Sequence, residues 1–229
     1  DRIRENILKR DQHMKTMLAA VAHELRNPLG GMELYAHLLN KEIPDGDTRK
    51  KAILKVLREL DVMKQIVSDF LEYARPKEPQ PVVCDLSKLL DEIRINLSTL
   101  TAEKSVRWDV ELNEKQVYAD PGHLRQILIN LIENAIQSGN ALPHVRIVSH
   151  RINTSIEITV EDNGQGIEES IKEKIFDPFF TTKEKGSGLG LAIVKKFVDE
   201  NNGDISITSD GTRGTRVRLL FPMKEGALA

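Results

Sequence analysis

The chain has a single cysteine, Cys84, among 229 residues. No internal disulfide can form, and a reducing compartment is the default expectation. Long apolar runs are missing as well. None approaches the roughly 18–20 residues needed to span a bilayer, and no signal-peptide pattern opens the chain. Neither sign of charge dominates, because 33 lysines and arginines face 35 acidic residues for a net charge of −2. That balance argues against a nucleic-acid binder and against a polybasic membrane patch. Aromatic residues are scarce at 4%, while the hydrophobic share of 40% suffices for a real core. The first residue is Asp1 rather than Met. The expectation is therefore a cytoplasmic piece of a longer protein, with any attachment to an inner membrane coming from a region upstream.

Apolar residues near the start fall at Ile3, Ile7, Met14, Met17 and Val21. They alternate in steps of four and three, with Arg10 occupying the slot that breaks the series, and the pattern is that of a heptad seam. His23 falls at position c of that heptad, facing water. The helix is expected to continue past Pro28 with a kink, through Leu34, Leu38 and Leu39. "KEIPDGD" (41–47) reads as a turn. A second helical pattern runs from Ile53 through Leu57, Leu60, Met63 and Val67 to Ala74. The two amphipathic helices form an antiparallel hairpin, which buries too little by itself and is expected to pair with a second copy as a four-helix bundle.

"RPKEPQP" (75–81), with three prolines, ends the helix and reads as a stiff linker. The expected organisation is a helical hairpin over 1–75, a linker over 76–81 and a second domain over 82–229. That second domain mixes periods. Helices are expected at 86–103, 121–138 and 188–201, and strands at 106–112, 144–152, 155–162, 204–209 and 215–221. The close succession of strands at 144–162 favours an antiparallel or mixed sheet covered on one face by helices. The fold class is α+β.

Four short stretches carry chemistry. In "NLIENAIQ" (130–137), Asn130 and Asn134 are four apart and share a helix face. Their amide oxygens are hard, neutral donors suited to Mg²⁺ beside phosphate. In "DNGQGI" (162–167), Gly164 and Gly166 allow backbone to approach a ligand closely. Asp162 can accept a hydrogen bond from an amino group such as that of adenine. In "GSGLGLAIVKK" (186–196), Gly186, Gly188 and Gly190 run into a helix start, a natural phosphate cradle. The stretch has neither the sixth glycine of a dinucleotide fingerprint nor the Gly-Lys-Ser/Thr ending of a P-loop. "FDPFFTTKEKG" (176–186) concentrates half of the six phenylalanines in one loop. Lys183 and Lys185 follow, placed to meet phosphate charge.

In this order, "AHELRNPL", "NLIENA", "DNGQGI", "FDPFF" and "GSGLGLAIVKK" resemble the histidine, asparagine, first glycine, phenylalanine and second glycine boxes of bacterial sensor histidine kinases. The resemblance covers nearly the whole chain. It implies a dimerisation and phosphoacceptor hairpin followed by an ATP-binding domain of the Bergerat fold shared with gyrase and the mismatch-repair ATPases. It implies ATP and Mg²⁺ as cofactors, His23 as the phosphoacceptor, and an aspartate of a separate response regulator as the next acceptor. Nucleotide contacts would come from Asn130, Asn134, Asp162, Gly164, Gly166, Thr181, Thr182, Lys185, Gly186, Ser187, Gly188, Leu189, Gly190 and Thr215, with Asn134 on the metal and Lys183 neutralising phosphate.

The chemistry of the first stretch agrees. A neutral imidazole nitrogen is a competent nucleophile at neutral pH. Glu24 can accept from one ring nitrogen and leave the other to attack, as a carboxylate does in a Ser–His–Asp triad. Asn27 lies one turn beyond His23, and in similar kinases that residue orients a water that dephosphorylates the regulator, so phosphatase activity is also expected. Two slots depart from the commonest family pattern. Gln137 and Ser138 stand where many relatives carry a basic and then an aromatic residue, which bears on nucleotide affinity. Two rival functions fit less well. A hydrolytic ATPase would need a glutamate base where Asn130 stands, and a non-catalytic dimerisation scaffold would have no use for Asn134, Asp162 and three loop glycines.

Overall fold

The computed structural model describes residues 21, 24–74, 78–138, 142–183, 186–209, 211 and 214–224. Their contacts divide into two units. Described residues before Glu78 group with Thr181–Leu189, and Glu78–Phe180 groups with Gly190 and beyond.

In the first unit, α1 (24–42) and α2 (Thr48–Ala74) are joined by a short turn. Pro44 accepts from the Asp47 amide at 3.2 Å, and Gly46 takes the left-handed φ of 95° that the turn requires. The Asp47 carboxylate then accepts the Arg49 amide at 2.8 Å and caps the start of α2. Leu29 and Ala36 of α1 pack with Leu57, Leu60 and Val67 of α2, with Ile53, Phe70 and Leu71 around them. Lys64 reaches across to the Glu33 carboxylate at 2.8 Å. The helix expected to kink at Pro28 keeps its helical backbone from 24 to 42.

The second unit is a helical layer on a mixed sheet. A two-stranded ribbon pairs β1 (Val82–Asp85) with β3 (Gln116–Ala119), antiparallel. The main sheet has the order β2-β4-β5-β7-β6. Its strands are β2 (Arg107–Leu112), β4 (His144–Ile152), β5 (Ser155–Asp162), β6 (Asp204–Ser209) and β7 (Thr215–Pro222). Among the described residues β2 and β4 run parallel and the other pairs of this sheet are antiparallel. Alternation along the strands buries Val145 and Ile147, Ile156, Ile158 and Val160, and Val217, Leu219 and Phe221. The opposite positions carry cross-strand ion pairs, Arg216 to Glu161 at 2.7 Å and Arg218 to Glu157, with His150 Nε2 3.2 Å from the Glu157 carboxylate. The helices are α3 (Leu86–Asn96), α4 (Ser98–Lys104), α5 (Pro121–Gln137) and α6 (Gly190–Glu200). α5 lies on β4 and β5, beside α6.

Two features depart from the expected elements. The helix expected over 86–103 breaks at Leu97, whose backbone sits at φ −90° and ψ 8°. Leu97 is buried there, and Thr101 Oγ1 bonds the Ser98 carbonyl at 3.0 Å, the local competition that hydroxyl residues offer a helix. The ribbon β1–β3 was not expected. Its strands are four residues each, too short to show a period, and Val82 and Val83 are both exposed.

Candidate functional site

The C-terminal end of β5 turns sharply. Asp162 Oδ1 accepts the Gly164 amide at 2.7 Å, an Asx turn. Gly164 is pressed against the end of α5, where a Cβ would lie 2.1 Å from the Ser138 side chain. The Ser138 carbonyl accepts the Gln165 amide at 3.2 Å, and the Ser138 hydroxyl donates to Ala135 O at 2.7 Å. Ser138 is thus small enough to pack against this turn. Gly166 has the left-handed φ of 78°. Asn163 pins the entry to β4, accepting the His144 amide at 2.8 Å and donating to Leu142 O at 3.1 Å.

From the other side comes Gly214, just before Thr215 at the head of β7. Its φ is 99°, and a Cβ there would lie 2.0 Å from the Asp162 carbonyl oxygen. Backbone therefore rests directly on backbone at the point where the predicted base acceptor sits. Thr215 is half-buried and pairs with Ser209.

The helix that carries the two asparagines is fixed at both ends. Asp120 caps it, accepting the amides of Gly122 at 2.8 Å and His123 at 3.1 Å. Asp120 Oδ2 also accepts the Gln80 amide at 2.9 Å. Burial alone would push the Asp120 carboxyl up, but those amides and the neighbouring His123 outweigh it and leave it below the usual carboxylate range. His123 stacks on Phe197 with ring centroids 4.0 Å apart. Asn201 accepts the Asp120 amide at 2.7 Å and donates to Phe197 O at 2.7 Å, tying the far ends of α5 and α6 together. Further along α5, Asn130 Nδ2 donates to the Gly190 carbonyl at 3.2 Å, and its Oδ1 accepts from Gln126 at 3.4 Å. The Asn130 amide therefore holds the start of α6 against α5. Asn134 is one turn on and half-buried.

Other expected site residues fall in the first unit. Glu24 and Asn27 are both exposed on α1. Thr181, Thr182, Lys183 and Gly186 are exposed, and the Thr181 hydroxyl accepts the Lys183 amide at 3.1 Å. Within this unit Ser187 Oγ donates to Asp69 Oδ2 at 2.8 Å and accepts the Leu189 amide at 3.2 Å. Burial raises the Asp69 carboxyl, while the hydrogen bonds from Ser187 and Gln65 pull the other way. Gly188 is left-handed at φ 66°, and Leu189 is fully buried. His23, Lys185 and the seam residues from Ile3 to Met17 lie outside the described residues. Cys84 is buried; burial pushes its thiol up, and it donates weakly to Ala119 O at 3.4 Å.

Sequence reading passed over Ser209. Its hydroxyl is buried between the Asp162 turn and the β6–β7 connection. The available signal was a hydroxyl residue ending a strand directly before a glycine-containing turn.

The comparisons agree with this geometry. The family described as histidine kinase-, DNA gyrase B- and HSP90-like ATPase matches residues 119–225, and the His Kinase A (phospho-acceptor) domain matches residues 13–79. The signal transduction histidine-protein kinase AtoS of Escherichia coli K12 is 34% identical over 210 residues, which is 90% of this chain and 34% of AtoS. The chain thus spans about a third of the length of that curated relative. The catalytic domain of the histidine kinase ThkA is 32% identical with a TM-score of 0.57, covering 62% of this chain and 95% of that one. ThkA is also solved in complex with the response regulator TrrA, at 29% identity and a TM-score of 0.69 over 98% of this chain and 67% of that one. Full-length ShkA in complex with AMPPNP gives 25% identity and a TM-score of 0.77 over 91% of this chain and 46% of that one.

The asparagine helix over a mixed sheet, with a glycine turn at the end of its central strand, defines an ATP-binding domain of the histidine kinase and gyrase type. With the phospho-acceptor match before it, the chain belongs to the bacterial sensor histidine kinases of two-component systems. Among the described residues no helix is long and apolar enough to cross a membrane.

Proposed function

We propose that this chain is the kinase core of its protein: ATP bound by the α/β unit phosphorylates His23. In this reading residues 1–75 form the dimerisation and phosphotransfer hairpin, 76–81 the linker and 82–229 the catalytic domain. The observation that carries it is the Asp162 turn, held between Ser138 and Gly214 at the end of β5 in the same unit as the asparagine face of α5. A carboxylate fixed by its own turn is suited to accept from the adenine amino group, and the backbone amides of the 186–190 glycine loop, exposed at Gly186, to receive phosphate oxygens.

The reaction follows from the residue chemistry. One nitrogen of neutral His23 attacks the γ-phosphorus of ATP, a nitrogen–phosphorus bond forms, the bond to the bridging oxygen breaks, and ADP leaves. Glu24 accepts from the other ring nitrogen and fixes the tautomer. Lys183 neutralises charge on the phosphates. Among the described residues no cluster of three or more His, Cys, Asp or Glu could hold a metal ion. In this reading the hard amide oxygen of Asn134 would share Mg²⁺ with the nucleotide's phosphates. Mg²⁺, when bound, would neutralise phosphate charge.

The phosphoryl group passes next to an aspartate of a response regulator, a reading supported by ThkA being found with TrrA. Asn27, exposed on α1, would orient a water that hydrolyses the regulator's aspartyl phosphate to free aspartate and inorganic phosphate, the phosphatase activity. The hairpin pairs with a second copy through the apolar side chains it leaves exposed.

The test is transfer of label from γ-labelled ATP with Mg²⁺, comparing wild type with His23→Gln and Asn134→Ala. Acid-labile, alkali-stable label on wild type and on neither variant supports the reading. Label surviving in His23→Gln moves the acceptor elsewhere. Phosphate release without label, unaffected by His23→Gln, points to a hydrolytic ATPase.

A further inference from the structure

Two walls meet at the Asp162 turn, and they come from distant parts of the chain. One is the turn itself, from Asp162 to Ile167. The other is the β6–β7 connection, whose Gly214 lies on the Asp162 backbone. One hydroxyl joins them. Ser209 Oγ accepts the Ile167 amide at 2.8 Å and donates to the Gly214 carbonyl at 2.8 Å. It also receives the Gly211 amide at 3.4 Å. A serine hydroxyl offers one donor and two acceptor positions, and here all three are used. The residue is buried, so removing the hydroxyl strands main-chain groups rather than handing them to water.

We propose that Ser209 is a positioning residue for nucleotide recognition: its hydroxyl locks the Asp162–Ile167 turn to Gly214 and so fixes the Asp162 carboxylate where it distinguishes adenine from guanine. This rests on the nucleotide reading above. Adenine presents an amino group that a carboxylate accepts from. Guanine presents a carbonyl oxygen at the same place, which a carboxylate repels. That discrimination depends on the carboxylate being held in place, because a turn free to move can retreat from the wrong base and lose contact with the right one. Asp162 Oδ1 is already tied to the Gly164 amide, so its remaining freedom is that of the turn as a body, and Ser209 restrains that motion.

The test uses the full chain with Ser209→Ala, Ser209→Cys and Ser209→Thr. Dissociation constants for ATP and GTP are measured by displacement of a fluorescent ATP analogue, alongside melting temperature without nucleotide and labelling rate at saturating ATP. Ser209→Ala is expected to weaken ATP about tenfold, the effect of one buried hydrogen bond. It should weaken GTP less, so that the ratio between the two shrinks, and should raise KM for ATP with kcat unchanged. Ser209→Thr keeps the hydroxyl and should restore the ratio. Should Ser209→Ala not fold, Ser209→Cys keeps the volume with a weaker donor and should give an intermediate ratio. An unchanged ATP-to-GTP ratio in the folded alanine or cysteine variant, even with a lowered melting temperature, would leave Ser209 a scaffold residue and overturn the proposal. Wild type binding neither nucleotide would instead overturn the nucleotide reading itself.

Discussion

The two units hide their apolar residues to very different degrees. In the α/β unit, α5 fully buries Leu124, Ile127, Leu128, Ile132 and Ile136 between the sheet and its neighbouring helices. In the helical unit, α1 leaves Leu25, Met32, Leu34, Tyr35, Leu38 and Leu39 exposed, and α2 does the same with Leu54, Val56, Met63 and Ile66. Both helices are amphipathic, so the difference is one of geometry. A layer laid on a sheet covers a broad apolar face. Two helices laid side by side cover one seam each and no more. The α/β unit is therefore complete as one chain, whereas the helical unit presents the apolar surface that a second hairpin would cover.

The largest effect is expected where burial is complete. Leu128→Ala removes a side chain with no solvent access, and should cost about 3–4 kcal/mol. Calorimetry should show the α/β transition falling while the helical one stays in place. A common shift of both would mean that the units unfold as one and that the contrast has no energetic content.

The second experiment addresses the other side of the comparison. Leu38→Asp places a charge on the exposed apolar face of α1. If a second copy covers that face, the dimer should dissociate at roughly 30-fold or more higher concentration, read by sedimentation, because a desolvated apolar contact is replaced by a charge. The α/β melting temperature should not move. A wild type that sediments as a monomer at all concentrations would remove the reason for the exposed face.

A third change weakens the α/β unit at its edge. Asp120 joins the chain at Gln80 to α5, and through its amide to Asn201 at the end of α6. Asp120→Ala should cost about 2 kcal/mol, a lost cap plus a stranded amide. The pH dependence has a definite sign. The Asp120 carboxyl lies lower in the folded chain than when unfolded, so its contribution is present above the unfolded value near about pH 4 and is lost as pH falls through the lower folded one. Denaturation of wild type and variant should therefore differ fully at pH 6 and converge as the pH falls below about 4. A difference that stays constant through that range would show that the carboxylate charge contributes nothing.

Much of the architecture was legible in the sequence because it depends on local period. The apolar spacing over 144–162 marks two strands, and the structure places them at the expected bounds, with Asn153 of the connecting turn in the left-handed conformation. The break at Leu97 and the four-residue ribbon strands were not legible, since neither leaves a periodic trace. The site divides the same way. Asp162, Gly164 and Asn134 stand out in short motifs. The close packing of Gly214 on Asp162, and the Asn201 contact with His123 seventy-eight residues away, are tertiary and leave no mark in either local stretch. Asn130, singled out in the sequence by its helix face, carries an unexpected contact: its amide bonds the Gly190 carbonyl at the start of α6, a partner that helix periodicity could not name.

The smallest predicted effect returns to the helical unit and asks whether its turn is as fixed as its seam. Gly46 has open space around the position of a Cβ, so no clash opposes a side chain there. Its φ of 95° does, because an L-residue in that region is strained. Gly46→Ala should therefore cost about 1 kcal/mol, from strain partly offset by a less flexible unfolded chain. Asp47, the next residue, caps α2, so the strain can be relieved only by loosening that cap or by distorting the turn. Helicity should report which happens. Loss confined to the first turn of α2, seen as faster amide exchange at Lys50 and Lys51, would mean that the hairpin keeps its seam and gives way at the cap. Exchange rising along the whole of α1 would mean that the seam of Leu29, Ala36, Leu57 and Leu60 is too narrow to hold the helices once the turn is strained, and that the second copy supplies most of the stability of this unit.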